Sequence, residues 1–159
     1  MKKIAVLGLG KVGALAARLL HDSGFEVHAY DQHAPREDLP FSVQSADLKA
    51  YDGLLQMFKG VDAVLSCLPY QLNVGVATAA HATGIHYFDL TEDVPTTKAI
   101  IEKSETAKGL MAPQCGLAPG FVGIVGAKQI GDFDDCRSCR MRVGALPQNP
   151  TGLMGYAFN

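Results

Sequence analysis

The chain has 159 residues, of which 48% are hydrophobic and 19% charged, and its formal net charge is −2. This composition is typical of a single globular domain and excludes an intrinsically disordered chain. The small negative charge gives no reason to expect nucleic acid or an anionic membrane surface as a partner. No apolar run approaches the roughly 18 residues that span a bilayer, so we expect a soluble cytoplasmic protein that binds neither nucleic acid nor membrane.

Four cysteines are present, at positions 67, 115, 136 and 139, and we expect them to be reduced thiols. Cys136 and Cys139 form a C-x-x-C pair, but a zinc site would need two more ligands, and no second pair has the required spacing. A redox pair of this type begins a helix, whereas residues 137–143 predict a strand, on which residues three apart face opposite sides. The sequence therefore predicts no metal site and no redox site here.

Short apolar runs alternate with longer helical patterns along the chain. A strand is predicted at residues 3–7, followed by a helix that ends at Ser23-Gly24 and whose apolar residues have the spacing of one helix face, namely Val12, Leu15, Ala16 and Leu19. A strand at 26–30 comes next. Pro35 and Pro40 then limit any helix to a turn or two. A weak strand at 41–43 and a helix at 50–58 complete the first half.

The second half of the chain continues this alternation. The predicted elements are, in chain order, a strand at residues 61–68, a helix at 73–83, a strand at 85–90, a helix from 95 to about 108, a strand at 110–114, a helix at 121–130 and a strand at 137–143. Gly84 and Gly109 are expected to end the two longer helices. Strict alternation predicts an α/β fold, a doubly wound parallel sheet of the Rossmann type, in which ligands bind at the carboxyl ends of the strands.

A glycine fingerprint lies between the first predicted strand and helix, and it consists of Gly8, Leu9, Gly10, Lys11, Val12 and Gly13. In the pattern G-x-G-x-x-G the first glycine permits a tight turn, the second lets a pyrophosphate approach the backbone, and the third lets helix and strand pack closely. The N–H groups at the start of the helix then face the phosphates. A glycine-rich turn without a ligand is the alternative.

Asp31 makes the fingerprint more specific, because it ends the second predicted strand 18 positions after Gly13. An acidic residue near this spacing accepts hydrogen bonds from the ribose hydroxyls of a dinucleotide. Its carboxylate should repel a 2′-phosphate, so NAD is favoured over NADP. Arg36 lies close enough in sequence to accommodate that phosphate, so NADP stays possible.

Further candidates lie at the ends of later strands. The backbone of residues 67–69 (Cys67, Leu68, Pro69) is expected near the nicotinamide half of the cofactor. Tyr70, Gln71 and Asn73 follow it with polar groups, although Asn73 is equally suited to cap a helix. Asp47 is a candidate for adenine contact, with helix capping again an equal alternative.

The sequence does not decide which residue is catalytic. Asp89, Thr91 and Glu92 follow the fifth predicted strand and are general acid or base candidates together with Tyr70, while Thr91 and the neighbouring Asp93 are also suited to cap the next helix. The connector after the sixth predicted strand brings backbone close to the crevice through Gly116, Pro119 and Gly120. A tight connector without a ligand is the alternative there.

Four segments, residues 67–73, 86–91, 115–121 and 143–147, resemble the saccharopine dehydrogenase family, which includes lysine 6-dehydrogenases and carboxynorspermidine dehydrogenases. The resemblance implies NAD(P)-dependent hydride transfer at the CH–NH carbon of an amino-acid substrate. It also implies a second domain that forms much of the substrate pocket and mediates a homodimer. We therefore expect an NAD(P)-binding domain at residues 1–134 and the start of a truncated substrate domain at 135–159, with dinucleotide binding but little turnover.

A protein of another class shares part of this pattern. Small Rossmann domains that sense dinucleotides, such as regulators of potassium transport, carry the glycine fingerprint and the acid after the second strand. They have no reason to carry the motifs at residues 89–91 and 116–120. A catalytically silent scaffold is a third possibility, which binding alone would not separate from the first.

Overall fold

The computed structural model describes residues 2–33 and 38–144, which contain six strands and five helices. The elements are β1 (Lys3–Leu7), α1 (Lys11–Asp22), β2 (Glu26–Asp31), β3 (Val43–Ser45), α2 (Tyr51–Met57), β4 (Ala63–Ser66), α3 (Tyr70–Thr83), β5 (His86–Asp89), α4 (Val94–Ser104), β6 (Met111–Ala112) and α5 (Phe121–Ile130). The first compact unit of the chain ends at Phe121 and a second begins at Val122. The domain boundary at residue 134 stays a prediction.

All six strands form one parallel sheet in the order β3-β2-β1-β4-β5-β6. The strand order reverses between β1 and β4, and a crevice for ligands is expected at such a reversal. Leu7 pairs with Tyr30 on one side and with Ser66 on the other, and Ser66 pairs with Asp89, so these strands end level with one another. The predicted fold class, a Rossmann-type parallel sheet, is confirmed.

Both faces of the sheet are buried. Along β1, Ala5 and Leu7 belong to one apolar cluster and Ile4 and Val6 to the other, because successive side chains of a strand point to opposite faces. The first cluster also contains the main buried residues of three helices, Leu54 of α2, Val76 and Ala80 of α3, and Ile100 of α4. Residues of α1 join the second cluster. A strand buried on both sides explains the continuous apolar runs of the sequence.

The buried face of α1 differs from its apolar stripe. Gly13, Ala14 and Ala17 are the buried residues of this helix, whereas Val12, Leu15 and Leu19 are each more than half exposed. A Cβ on Gly13 would lie 1.8 Å from the carbonyl oxygen of Gly8, so α1 packs too close to β1 for large inward side chains. The apolar spacing predicted the helix correctly, but small residues form its inner face.

Three other sequence predictions require correction. Residues 131–144 contain no strand, so the strand predicted at 137–143 is wrong. Cys136 and Cys139 therefore do not lie on opposite faces of a strand. Both thiols are exposed. Helix α4 ends at Ser104, well before Gly109. Gly109 instead permits close approach to β5, because a Cβ there would lie 2.3 Å from the carbonyl oxygen of Ile85.

No helix within residues 2–33 and 38–144 is both long and apolar enough to cross a membrane. Within the same ranges, no three His, Cys, Asp or Glu side chains are grouped so that they could hold a metal ion.

The packing of α1 on β1 makes Gly13 sensitive to substitution. Gly13→Ala is expected to lower the free energy of unfolding by about 3 kcal/mol, because the new methyl group overlaps the Gly8 carbonyl and the helix must move. Gly75→Ala is the matched control, since it also replaces a helical glycine but finds open space. It should raise stability by about 0.5–1 kcal/mol. Urea unfolding followed by circular dichroism measures both, and equal effects would contradict the close packing.

Candidate functional site

The turn between β1 and α1 is shaped by the first glycine of the fingerprint. Gly8 has a φ of 87°, a left-handed conformation that glycine adopts without strain. A Cβ on this residue would lie 2.9 Å from the Leu68 side chain and 3.0 Å from the carbonyl oxygen of Cys67. Its N–H donates a 2.9 Å hydrogen bond to the Tyr30 carbonyl. Gly8 therefore brings the ends of β1, β2 and β4 together.

Gly10, the second glycine, has no such structural reason to lack a side chain. Its backbone is extended, with φ −65° and ψ −172°, and a Cβ there would have no neighbour within 4 Å. It is exposed and directly precedes α1, whose first turn carries no acidic residue and no side-chain cap. The first N–H groups of a helix lack intrahelical acceptors. An anion could thus approach the backbone at Gly10 and meet the N–H groups of Lys11, Val12 and Gly13.

Asp31 ends β2 next to this turn. Its Oδ2 accepts a hydrogen bond from the Leu9 N–H at 2.5 Å, and its Oδ1 accepts one from the His33 N–H at 2.8 Å. The side chain remains 21% exposed. Because an ionised carboxylate has about four acceptor positions, Asp31 retains capacity for two further donors at the glycine turn.

A cavity of about 280 Å³ with one polar and one apolar wall lies beside Asp31. Its apolar wall consists of Leu48, Leu68, Pro69 and Leu72, and its polar wall of Asp31, Gln32, His33 and Lys49. A shallower neighbouring cavity is lined by Gln32, Ser45, Ala46, Asp47 and Lys49. The Oδ1 of Asp47 accepts from the N–H of Lys49 at 2.9 Å, while Ala50 occupies the N-cap of α2, so helix capping by Asp47 is wrong. The sequence carried no signal for Lys49.

At the end of β4, burial raises the pKa of the Cys67 thiol to about 12. Cys67 is therefore a neutral packing group at physiological pH. Pro69 occupies the N-cap position of α3, and Tyr70, the first residue of that helix, is exposed. Asn73 is buried within α3 and its Oδ1 accepts from the Ser66 hydroxyl at 2.7 Å. The capping alternative for Asn73 is therefore wrong, and its amide instead joins α3 to β4.

Asp89 is fully buried at the end of β5 and is used by the protein itself. Its Oδ2 accepts from the Tyr87 hydroxyl at 2.6 Å, and its Oδ1 accepts from the N–H groups of Thr91 at 3.0 Å and Gln114 at 3.1 Å. Burial, followed by the hydrogen bond to Asp89, raises the pKa of Tyr87 far above its usual value, so this hydroxyl stays a donor. A general acid or base must reach its substrate, and this carboxylate instead joins the end of β5 to the segment that follows β6.

The other catalytic candidates beside β5 differ in exposure. Thr91 is buried and its hydroxyl oxygen accepts from the Asp93 N–H at 3.2 Å, whereas Glu92 is exposed. Asp93 caps α4, because its Oδ2 accepts from the Thr96 N–H at 2.9 Å, which confirms the capping interpretation for that residue. Of these side chains, Glu92 and the exposed Tyr70 are open to solvent. The catalytic assignment stays a prediction.

The connector from β6 to α5 forms a tight loop. A Cβ on Gly120, whose φ is 130°, would lie 2.2 Å from the carbonyl oxygen of Gly116, and the Phe121 N–H donates to that same oxygen at 2.9 Å. The peptide bond before Pro119 is cis. The Cys115 N–H donates to the Asp89 carbonyl at 2.7 Å. The loop is thus joined to the end of β5, and it lies on the side of the sheet away from Asp31.

Comparison with known proteins identifies one family. The family described as saccharopine dehydrogenase NADP binding domain matches residues 4–114. The NAD(P)+ glycerol-3-phosphate dehydrogenase of Lactiplantibacillus plantarum is 34% identical over 80 residues, which cover 43% of this chain and 24% of that enzyme.

Solved structures share the fold at low sequence identity. Saccharopine dehydrogenase (L-Glu forming) from Saccharomyces cerevisiae matches with a TM-score of 0.59 and 17% identity, over 83% of this chain and 31% of that chain. GsuK bound to ADP matches with a TM-score of 0.58 and 15% identity, over 82% of this chain and 33% of that chain. The chain thus spans about a third or less of the length of these relatives.

The hydrogen bond between Tyr87 and Asp89 predicts a measurable loss of stability. Tyr87→Phe is expected to lower the free energy of unfolding by about 1–3 kcal/mol, because a buried carboxylate loses one of its donors. Tyr51→Phe is the matched control, since Tyr51 is exposed on α2, and it should change stability by less than about 0.5 kcal/mol. Chemical denaturation measures both. A neutral Tyr87→Phe would show that this hydroxyl does not support Asp89.

Proposed function

The chain belongs to the family of saccharopine dehydrogenase NADP-binding domains, and from this premise we propose that it serves an oxidoreductase acting on the CH–NH carbon of an amino-acid substrate. The cofactor part of the proposal rests on the open space at Gly10. This space lies next to the carboxylate of Asp31, which still has free acceptor positions. The substrate part rests on the resemblance of the motifs at residues 67–73, 86–91 and 115–121 to the same family.

The dinucleotide would bind along the carboxyl edge of the sheet. Its diphosphate fits the free N–H groups that follow Gly10, because a side chain there would occupy the space that the phosphates need. Asp31 would accept hydrogen bonds from the adenosine ribose, and the cavity lined by Leu48, Leu68 and Pro69 offers an apolar surface to the adenine. Asp47 lines the adjoining cavity.

NAD is the favoured cofactor, since Asp31 would oppose the charge of a 2′-phosphate. Lys49 acts in the other direction, because this positively charged residue lines the same cavity. Arg36 lies outside the described residues. A cation near the ribose would partly offset the repulsion, so we propose a preference for NAD that leaves NADP as a weaker ligand.

When bound, the nicotinamide would exchange a hydride with the amine carbon of the substrate. The chain's own residues bind and orient the cofactor, with the loop at 116–120 at the nicotinamide half of the edge, whereas Leu68 and Pro69 line the cavity proposed for the adenine. Because the chain spans 31% of the yeast saccharopine dehydrogenase chain, the substrate pocket, a homodimer of the whole protein and its cytoplasmic location are parts of this proposal.

A dinucleotide-sensing regulator of potassium transport is the alternative. It would use the same glycine turn and Asp31, but it has no need for the motifs at residues 89–91 and 116–120. An activity assay of the whole protein distinguishes the two functions. Saccharopine, lysine or a polyamine precursor should drive reduction of NAD by an oxidoreductase, whereas a sensor would bind NADH and reduce nothing.

Replacing Gly10 tests the cofactor site directly. Gly10→Ala should weaken NADH binding by about tenfold or more, because the methyl group takes the space beside the helix N-terminus. Stability should change by less than about 0.5 kcal/mol, since no protein atom lies near. Titration of the nicotinamide fluorescence measures affinity, and thermal unfolding measures stability. Wild-type protein that binds neither NADH nor NADPH would refute the proposed function.

Replacing Asp31 tests the cofactor preference. Asp31→Asn should shift the ratio of NADPH to NADH affinity towards NADPH by about tenfold, because the negative charge near the 2′-position is removed. Asp52→Asn, a change on the exposed first turn of α2, is the control and should leave the ratio unchanged. An unaltered ratio in Asp31→Asn would mean that this carboxylate does not contact the ribose.

A further inference from the structure

Gln114 has an unusual backbone conformation. Its φ is 66°, and it is the single non-glycine residue with positive φ that the structure records within residues 2–33 and 38–144. Glycine and asparagine enter this region easily, whereas a longer side chain is strained there. Such strain persists only where the surroundings hold the residue in place, and it is concentrated at binding sites.

Buried groups hold Gln114 in this conformation. Its N–H donates to the Asp89 Oδ1 at 3.1 Å, and the next N–H along the chain, that of Cys115, donates to the Asp89 carbonyl at 2.7 Å. Asp89 is itself anchored by the Tyr87 hydroxyl. On the other side, a Cβ on Gly120 would lie 2.9 Å from the Gln114 carbonyl oxygen, so the loop closes tightly over it.

The side chain of Gln114 remains available for a ligand. The residue is half-buried, and its carboxamide forms no hydrogen bond with the part of the chain that the structure describes. It lies two residues after β6, on the opposite side of β1 from Asp31. A dinucleotide that crosses the edge at Gly10 would bring its nicotinamide towards the β4, β5 and β6 half.

We propose that Gln114 is a cofactor-binding residue whose carboxamide pairs with the carboxamide of the nicotinamide, and that Asp89 is the positioning residue that holds it there. This inference rests on the proposed dinucleotide site. A carboxamide carries one acceptor and two N–H donors, so two such groups can exchange two hydrogen bonds. The strain at Gln114 is then the consequence of aiming this amide, and a residue that relieves it should weaken nicotinamide binding.

The experiment compares NADH with ADP-ribose, which lacks the nicotinamide. For Gln114→Gly, calorimetry should show NADH affinity reduced about fivefold to tenfold and ADP-ribose affinity unchanged. The midpoint of thermal unfolding should rise by about 2–4 °C, because glycine adopts this conformation without strain. A gain in stability with a selective loss of NADH is the expected signature.

A second variant separates strain from amide chemistry. Gln114→Leu keeps a side chain of similar length in the strained position, so its unfolding midpoint should not rise, but it should lose the same NADH affinity as Gln114→Gly. Gln129→Ala, which removes an exposed carboxamide from α5, is the control and should bind both ligands as the wild type does.

The possible outcomes separate a failure of the proposed dinucleotide site from a failure of the proposed role of Gln114. If the wild type binds neither NADH nor ADP-ribose, the dinucleotide site and this inference both fail. If it binds both, and the Gln114 variants alter neither affinity or lower both equally, the dinucleotide site stands and the role of Gln114 is refuted.

Discussion

Close contact between α1 and β1 is the constraint on which the rest of this structure depends. A Cβ on Gly13 would lie 1.8 Å from the Gly8 carbonyl oxygen, so the helix begins almost against the strand that precedes it. This contact requires the small inner face of Gly13, Ala14 and Ala17, and it leaves Leu15 exposed on the outer face. It also directs the free N–H groups of the helix towards the carboxyl edge of the sheet, where a parallel α/β fold binds its ligands.

Two aspartates, each at the end of a strand, have opposite roles along that edge. Asp31 accepts two backbone hydrogen bonds and stays partly exposed, so it holds the glycine turn and retains capacity for a ligand. Asp89 is fully buried and accepts three hydrogen bonds from its own chain. Burial of a carboxylate is unfavourable unless such donors compensate for the lost water. The difference in burial, rather than in residue type, separates a carboxylate that keeps free acceptor capacity from one whose acceptor capacity serves the fold.

The membership in the saccharopine dehydrogenase family and the geometry of the carboxyl edge of the sheet give different information about this site. The family match spans residues 4–114 and accounts for the sheet, the glycine turn and the strand ends. The geometry adds which of those residues still have free hydrogen-bonding capacity, namely Asp31 and Gln114, and which are already used, namely Asn73 and Asp89. Only side chains of the first kind can form hydrogen bonds to a ligand.

The sequence by itself determined the order of strands and helices, the Rossmann class, the glycine fingerprint with Asp31, and the family. The element order, the fold class and the fingerprint depend on local periodicity and on glycine positions that a short segment already contains, whereas the family follows from the resemblance of several later motifs. The tertiary structure alone decided which face of α1 is buried, that residues 137–143 form no strand, and that Asp89 is closed to solvent. It also decided that the backbone of Gln114 has a left-handed conformation. That conformation depends on the hydrogen bond from its N–H to Asp89, 25 residues earlier in the chain. Burial and long-range hydrogen bonds arise only when distant segments meet, and no local pattern encodes them.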